Sequence, residues 1–215
     1  MKSAWFDLGC RRCPRLASFL DGLNTPHPDY HNRPVAPFGA DDARLLVVGL
    51  APGMHGANAS GRPFTGDHAG LLLYRTLHAH GFASAAESLS ADDGLKLIDC
   101  RITNAVKCLP PQNKPVGAEV AACNGFLAAE LADLADDAVV LALGGVAHKA
   151  VISALGLRQK EHVFGHGAEH AIGRLRLIDS YHCSRYNTQT RRLTDAMFDR
   201  VFARARTLLD DSAAA

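Results

Sequence analysis

No run in this chain approaches the about 18 consecutive apolar residues that cross a bilayer, which excludes a hydrophobic spanning helix. Met1 to Asp7 lacks the apolar stretch of a secretory signal, so a cytoplasmic protein is expected. Net charge is equally scarce: 23 Lys and Arg oppose 22 Asp and Glu, leaving +1 with the histidines neutral. Attraction to a polyanion therefore has no global source, and any nucleic-acid contact must come from a local patch. The phosphate-loop pattern G-x4-G-K-S/T is missing, and no internal repeat is visible. What remains is 215 residues, 47% hydrophobic and 21% charged, enough for one core and too apolar for disorder. A single domain over 1–215 is expected, with 1–40 as a segment packed on the core and 210–215 as a flexible tail.

Apolar runs of strand length cover Arg44 to Leu50, Leu97 to Asn104, Ala138 to Leu143 and Arg174 to Ser180. Helical spacing follows Pro14, covers Leu71 to His80 and Val116 to Leu134, resumes after Gly144 and Gly145 to about Leu155, and returns over Arg192 to Leu209. Residues 24–40, rich in Pro, Asn and His, read as an irregular connection. Alternating strands and helices predict an α/β fold with a mainly parallel four-stranded sheet covered on both faces. Sites in such sheets gather at the carboxyl ends of strands. Three polar segments lie there: 51–68, 104–115 and 181–192.

Six cysteines in a reducing compartment are thiols or metal ligands before they are disulfides. Cys10 and Cys13 form a C-x2-C pair, whereas Cys108 and Cys123 are far apart in sequence. Two short knuckles would point to zinc. Dispersed thiolates suit a four-iron four-sulfur cluster, with four-cysteine zinc or four unrelated buried cysteines as the alternatives. Cys100 lies in an apolar strand and reads as core. Cys183 adjoins His182, but neighbours on extended chain point opposite ways, which argues against a nucleophile–base pair.

The 51–70 segment is long for a loop and carries five glycines and two prolines, which suggests function. Phe64 in it reads either as a plug holding the loop down or as a stacking platform for a flat ligand. Asp67 reads either as the cap of the next helix or as a working carboxylate. Asn104 ends a strand, and its amide can read a donor–acceptor edge such as that of uracil or simply tie its own turn. Tyr181 to Arg192 interleaves aromatic, hydroxyl and basic groups, as phosphate contacts require, though a solvated loop fits too.

GLAPGMHGANASGRPFTGDHAG (49–70), RITNAVKCLPPQNKP (101–115), YHCSRYNTQTRRLT (181–194) and the cysteines at 10, 13, 108 and 123 together resemble the uracil-DNA glycosylase superfamily. Within it the chain is most similar to family 5, or type B, over nearly its whole length. The resemblance implies a three-layer α/β/α sandwich and a 4Fe-4S cluster on those four cysteines. It also implies a monofunctional DNA-repair enzyme that excises flipped uracil and related bases, acting on the nucleoid as a monomer. It places Ala51, Pro52 and Gly53 against the base, stacks Phe64 on it, and has Asn104 read its edge. His182 faces the base oxygen as charge develops. Asn187 lies on the substrate side, with Ser184, Arg185, Tyr186 and Lys107 on the DNA backbone. Many members position the attacking water with an acid or amide where this chain has Ala51, so Asp67 is the expected substitute. Narrowly uracil-specific members hold a tyrosine where this chain has Gly53, so a broader range is expected, and Gly53→Tyr should narrow it. The rival reading is a non-enzymatic cluster protein that binds damaged DNA or senses redox state.

Overall fold

A computed structural model describes residues 2–213. Its sheet has six strands in the order β1-β3-β2-β4-β6-β5. The four inner strands are β2 (Leu45–Gly49), β3 (Cys100–Asn104), β4 (Val139–Leu143) and β6 (Leu175–Ser180), all parallel. β1 (Phe38–Gly39) and β5 (Glu169–Ile172) pair antiparallel at the two edges. The expectation of four strands thus recovers the inner sheet and misses both edges. β1 is two residues long beside Pro37, and β5 is half-exposed, so neither makes an apolar run.

Every residue of β2 and β4 is buried, because helices cover both faces and the strands have no polar side. Leu45 and Val47 join one core with α3 (His68–Ala79) and α7 (Asp195–Ala213), whose Phe198, Val201, Phe202, Ala205 and Leu209 recur at helical spacing. Leu46 and Val48 turn to the other core, with α4 (Gly117–Ala132) and α5 (Gly145–Ala154). The result is three layers, helix on sheet on helix. Truncating a buried leucine such as Leu73, fully enclosed in the first core, should cost about 2–5 kcal/mol.

Several boundaries differ from expectation, the helix expected from Leu71 starting at His68 among them. Asp99 takes a left-handed φ of 51° and accepts the Arg44 backbone N–H at 2.9 Å, so β3 starts at Cys100 rather than Leu97. The last helix starts at Asp195 rather than Arg192 and continues to Ala213, so 210–213 of the expected tail is helical. Residues 214 and 215 lie outside the described residues. At the other end, α1 (Pro14–Leu23) starts directly at its proline, and a 3-10 turn (Ser3–Trp5) seats Trp5 in the core. The Trp5 indole N–H donates to Asp133 at 2.8 Å. Among the described residues no helix is long and apolar enough to cross a membrane.

Candidate active site and cysteine pocket

The carboxyl ends of β2, β3, β4 and β6 open into a cleft of about 610 Å³. The strand ends bring together Phe64, Asp67, Asn104 and His182, residues far apart in sequence, on its walls.

Phe64 is held at φ 57°, a left-handed conformation that costs a bulky residue on the order of 1 kcal/mol. The neighbouring Pro63 carbonyl anchors the turn by accepting the Tyr74 hydroxyl at 2.7 Å. Phe64 is only 6% exposed, yet its ring lines the cleft and stacks on His182 at 6.0 Å between centroids. Plug and platform are therefore the same residue. Gly49 makes the arrangement possible: a Cβ there would lie 2.4 Å from Asn104 Oδ1 and 2.7 Å from Phe64 Cζ.

Asn104 is buried at the end of β3, and its Oδ1 finds no hydrogen-bond donor among the described residues. An unmet buried acceptor costs about 1–3 kcal/mol, so a ligand N–H in the cleft would be well received. His182 keeps part of its ring open to the cleft, yet it is packed deeply enough that burial pushes its pKa down to about 4. It is a neutral imidazole at physiological pH. Its carbonyl accepts the Asn187 side-chain amide at 2.8 Å, and the short helix α6 (Arg185–Gln189) starts with Ser184 Oγ accepting the Asn187 N–H at 3.4 Å. Asn187 lines the cleft and commits one of its two amide hydrogens to the His182 carbonyl.

Asp67 does sit at the N-cap position of α3, but its side chain does not cap that helix. Its carboxylate turns back into the cleft and accepts the N–H of Ala57, the first residue of the one-turn α2 (Ala57–Ser60), at 3.2 Å. Burial raises its pKa, against the opposing pull of that N–H and of His55. A Cβ on Gly53 would lie 2.5 Å from Asp67 Oδ1, so the loop and the carboxylate are packed backbone to side chain.

Two sequence assignments are corrected. Pro52 is buried and does not line the cleft, whereas Ala51 and Gly53 do. Lys107 does not reach solvent: it is 2% exposed, and its Nζ donates to Glu130 at 2.6 Å and also to the Thr103 hydroxyl. Arg101 Nε lies 3.5 Å from the other oxygen of the fully buried Glu130. Lys107→Met should therefore cost about 3 kcal/mol by leaving Glu130 poorly compensated. It should leave DNA affinity unchanged. Urea unfolding and DNA titration of the variant check this; weakened DNA binding at unchanged stability would restore Lys107 as a phosphate contact.

Arg185 and Ser184 line the cleft mouth, and Tyr186 stands 70% exposed beside it. Sequence reasoning passed over His68, Asn113 and Phe164, which also line the cleft. Asn113 had a visible signal, a turn-forming residue in a proline-rich loop at a strand end. Cys183 is fully buried, and burial pushes its thiol up to about 12, as befits an inert core residue.

Cys10, Cys13, Cys108 and Cys123 converge on a second, small pocket beside α1 and α4. The Lys107 backbone N–H points at Cys123 Sγ from 3.4 Å. Burial, reinforced by the other three thiols, pushes Cys108 up to about 12. Among the described residues no three of these sulfurs lie within 4.8 Å of one another.

The profile of the Uracil DNA glycosylase superfamily matches residues 36–206. A type-5 uracil-DNA glycosylase of Thermus thermophilus is 45% identical over 205 residues, covering 93% of this chain and 93% of its own. A type-5 uracil-DNA glycosylase of Pyrobaculum aerophilum is 39% identical over 211 residues, 94% of this chain and 92% of its own. A type-4 uracil-DNA glycosylase of Thermotoga maritima is 37% identical over 107 residues, covering 49% and 47%.

Proposed function

The chain belongs to the uracil-DNA glycosylase superfamily, and we propose that it hydrolyses the N-glycosidic bond of uracil and related deaminated or 5-substituted bases in DNA. The observation that carries this reading is the orphaned Asn104 Oδ1, buried in a cleft whose other walls are Phe64, Asp67 and His182. An acceptor with no partner fits the N3–H of a flipped pyrimidine, and the amide's NH₂ can donate to its O4. The Phe64 ring offers the flat surface, with stacking worth about 1–3 kcal/mol.

Bond cleavage leaves a cationic sugar and an anionic base. The Asp67 carboxylate stabilises the first and orients water, by analogy with glycoside hydrolysis. The neutral His182 ring presents an N–H to the base oxygen as negative charge grows there, worth a few kcal/mol. Among the described residues no lysine lines the cleft, and the nearest motif lysine, Lys107, is committed to Glu130. That supports a monofunctional enzyme. Ser184, Arg185 and Tyr186 grip the flanking backbone at the rim. The protein acts as a monomer in the cytoplasm, on the nucleoid.

The four cysteines fit a 4Fe-4S cluster. The two dispersed cysteines, Cys108 after β3 and Cys123 on α4, join the Cys10–Cys13 pair at one pocket, which favours the cluster over the two short knuckles of a zinc site. The cluster supplies a structural bond between residues 1–15 and 105–125, and the chemistry at the cleft does not pass through it.

Incubation with a duplex carrying one uracil, followed by alkali, should cut the strand at that site. An intact strand with retained binding would favour the non-enzymatic reading. Substrate breadth follows from Gly53, which offers no side chain to exclude a 5-substituent. Uracil and 5-hydroxymethyluracil should both be released, faster from mismatches, where flipping is easiest. The Asp67 contact changes the expectation for Gly53→Tyr: the new Cβ would push the carboxylate aside. The variant should lose at least about tenfold in rate, or 1.4 kcal/mol, on every base instead of narrowing towards uracil. A lesion panel assayed with both proteins decides; full uracil activity with selective loss of 5-hydroxymethyluracil would show that the pocket accommodates the tyrosine.

A further inference from the structure

Behind the cleft wall, the buried Asp179 of β6 gathers two imidazoles. His148 Nδ1, from α5, lies 2.8 Å from Asp179 Oδ1, and His170 Nε2, from β5, lies 3.1 Å from Oδ2. One ligating atom from each of the three lies within 4.8 Å of the others. The far nitrogen of His148, Nε2, faces the carbonyl of His162 at 2.8 Å. A carbonyl only accepts, so Nε2 carries hydrogen. A neutral ring then turns the Nδ1 lone pair onto a carboxylate that also only accepts. Two lone pairs at 2.8 Å repel unless a cation stands between them, either a second ring proton or a metal ion.

We propose that His148, His170 and Asp179 form a zinc site separate from the four cysteines. Two imidazole nitrogens and a carboxylate oxygen from three different elements are a common zinc donor set, with water completing the tetrahedron. The His148–His162 contact is the outer hydrogen bond that typically fixes a metal-binding imidazole and its tautomer. Zinc at about 2.0–2.1 Å from each donor spreads them by a few tenths of an ångström beyond the distances above. His170 can give that much, because it lies on the edge strand with 11% of its side chain exposed.

The site has a structural consequence for the cleft. Asp179 also binds the passing segment through its backbone, accepting Gly167 N–H at 2.8 Å and donating to Ala168 O at 2.9 Å. That segment carries Phe164 onto the cleft wall. Zinc therefore staples the wall to the end of the sheet, whatever the cleft binds.

Iron-loaded protein is dialysed against zinc, and its metals are counted. About one zinc per chain is expected in addition to iron, with the melting temperature raised by a few degrees. Cobalt in place of zinc should give visible d–d bands without the charge-transfer band of a thiolate ligand, which separates this site from the cysteines. His170→Gln should weaken zinc binding at least tenfold while iron content and uracil excision persist, and His148→Gln should do the same if it folds by circular dichroism. Zinc bound equally by the parent and His170→Gln, or no zinc retained by the parent, would overturn the site and leave a proton in its place.

Discussion

Asp67→Asn is expected to lower the single-turnover rate of uracil excision on the order of 100-fold or more, about 3 kcal/mol, with DNA affinity nearly unchanged. The amide keeps the shape and can still accept the Ala57 N–H, so the loss isolates the negative charge. Burial raises the Asp67 pKa, so the working carboxylate forms at higher pH than that of an ordinary aspartate. The parent rate should therefore climb with pH through that pKa, and the variant should lack this limb. The sign for stability is opposite. A carboxyl whose folded pKa is raised contributes stability below its unfolded pKa, and that contribution fades as pH rises through the folded pKa. Asp67→Asn should therefore melt no lower than the parent at neutral pH. Single-turnover assays across pH, paired with thermal melts, test both halves. A folded variant that cleaves at the parent rate would remove Asp67 from the chemical step.

Cys108→Ala is expected to lose bound iron and the brown colour. A stability loss on the order of 4 kcal/mol lowers the melting temperature of a chain this size by roughly 10 °C or more. The size of the effect follows from where the four thiols come from. Cys10 and Cys13 precede α1, Cys108 follows β3, and Cys123 lies on α4. Apart from Trp5 on Asp133 and the Arg15–Glu119 ion pair at 2.7 Å, few polar contacts tie the first residues to α4. Burial, helped by the neighbouring thiols, raises the pKa of Cys13, Cys108 and Cys123, so these groups gain little from one another without a bound cation. Iron analysis, visible absorption and melting are the measurements. A colourless parent that holds zinc on these cysteines and excises uracil would reject the cluster.

What could be read in the sequence divides along physical lines. LLVVG and VVLAL announce strands buried on both faces, and the motifs at the ends of β2, β3 and β6 locate Phe64, Asn104 and His182 because a parallel sheet collects its strand ends. The type-5 resemblance is matched by relatives aligned over nearly the whole chain. The failures are matters of side-chain direction and distant partners. Lys107 lies among site residues in sequence, but Glu130, 23 positions later, draws it inward. Asp67 occupies a capping position and declines the cap because the glycine-rich loop folds over it. His148, His170 and Asp179 belong to three separate elements, and nothing in their spacing announces that they meet.

The same convergence of cysteines sets a schedule for making the protein. Cys10 and Cys13 leave the ribosome roughly a hundred residues before Cys123, on the order of 10 s at ordinary elongation rates. During that interval the first pair has no partners, and the sheet's central strands are still incomplete. The proposed cluster would not nucleate folding of the amino-terminal half. It would arrive after α4 has emerged, and until then the early thiols would depend on the cell's reducing power and on delivery of iron to a chain that is already partly folded.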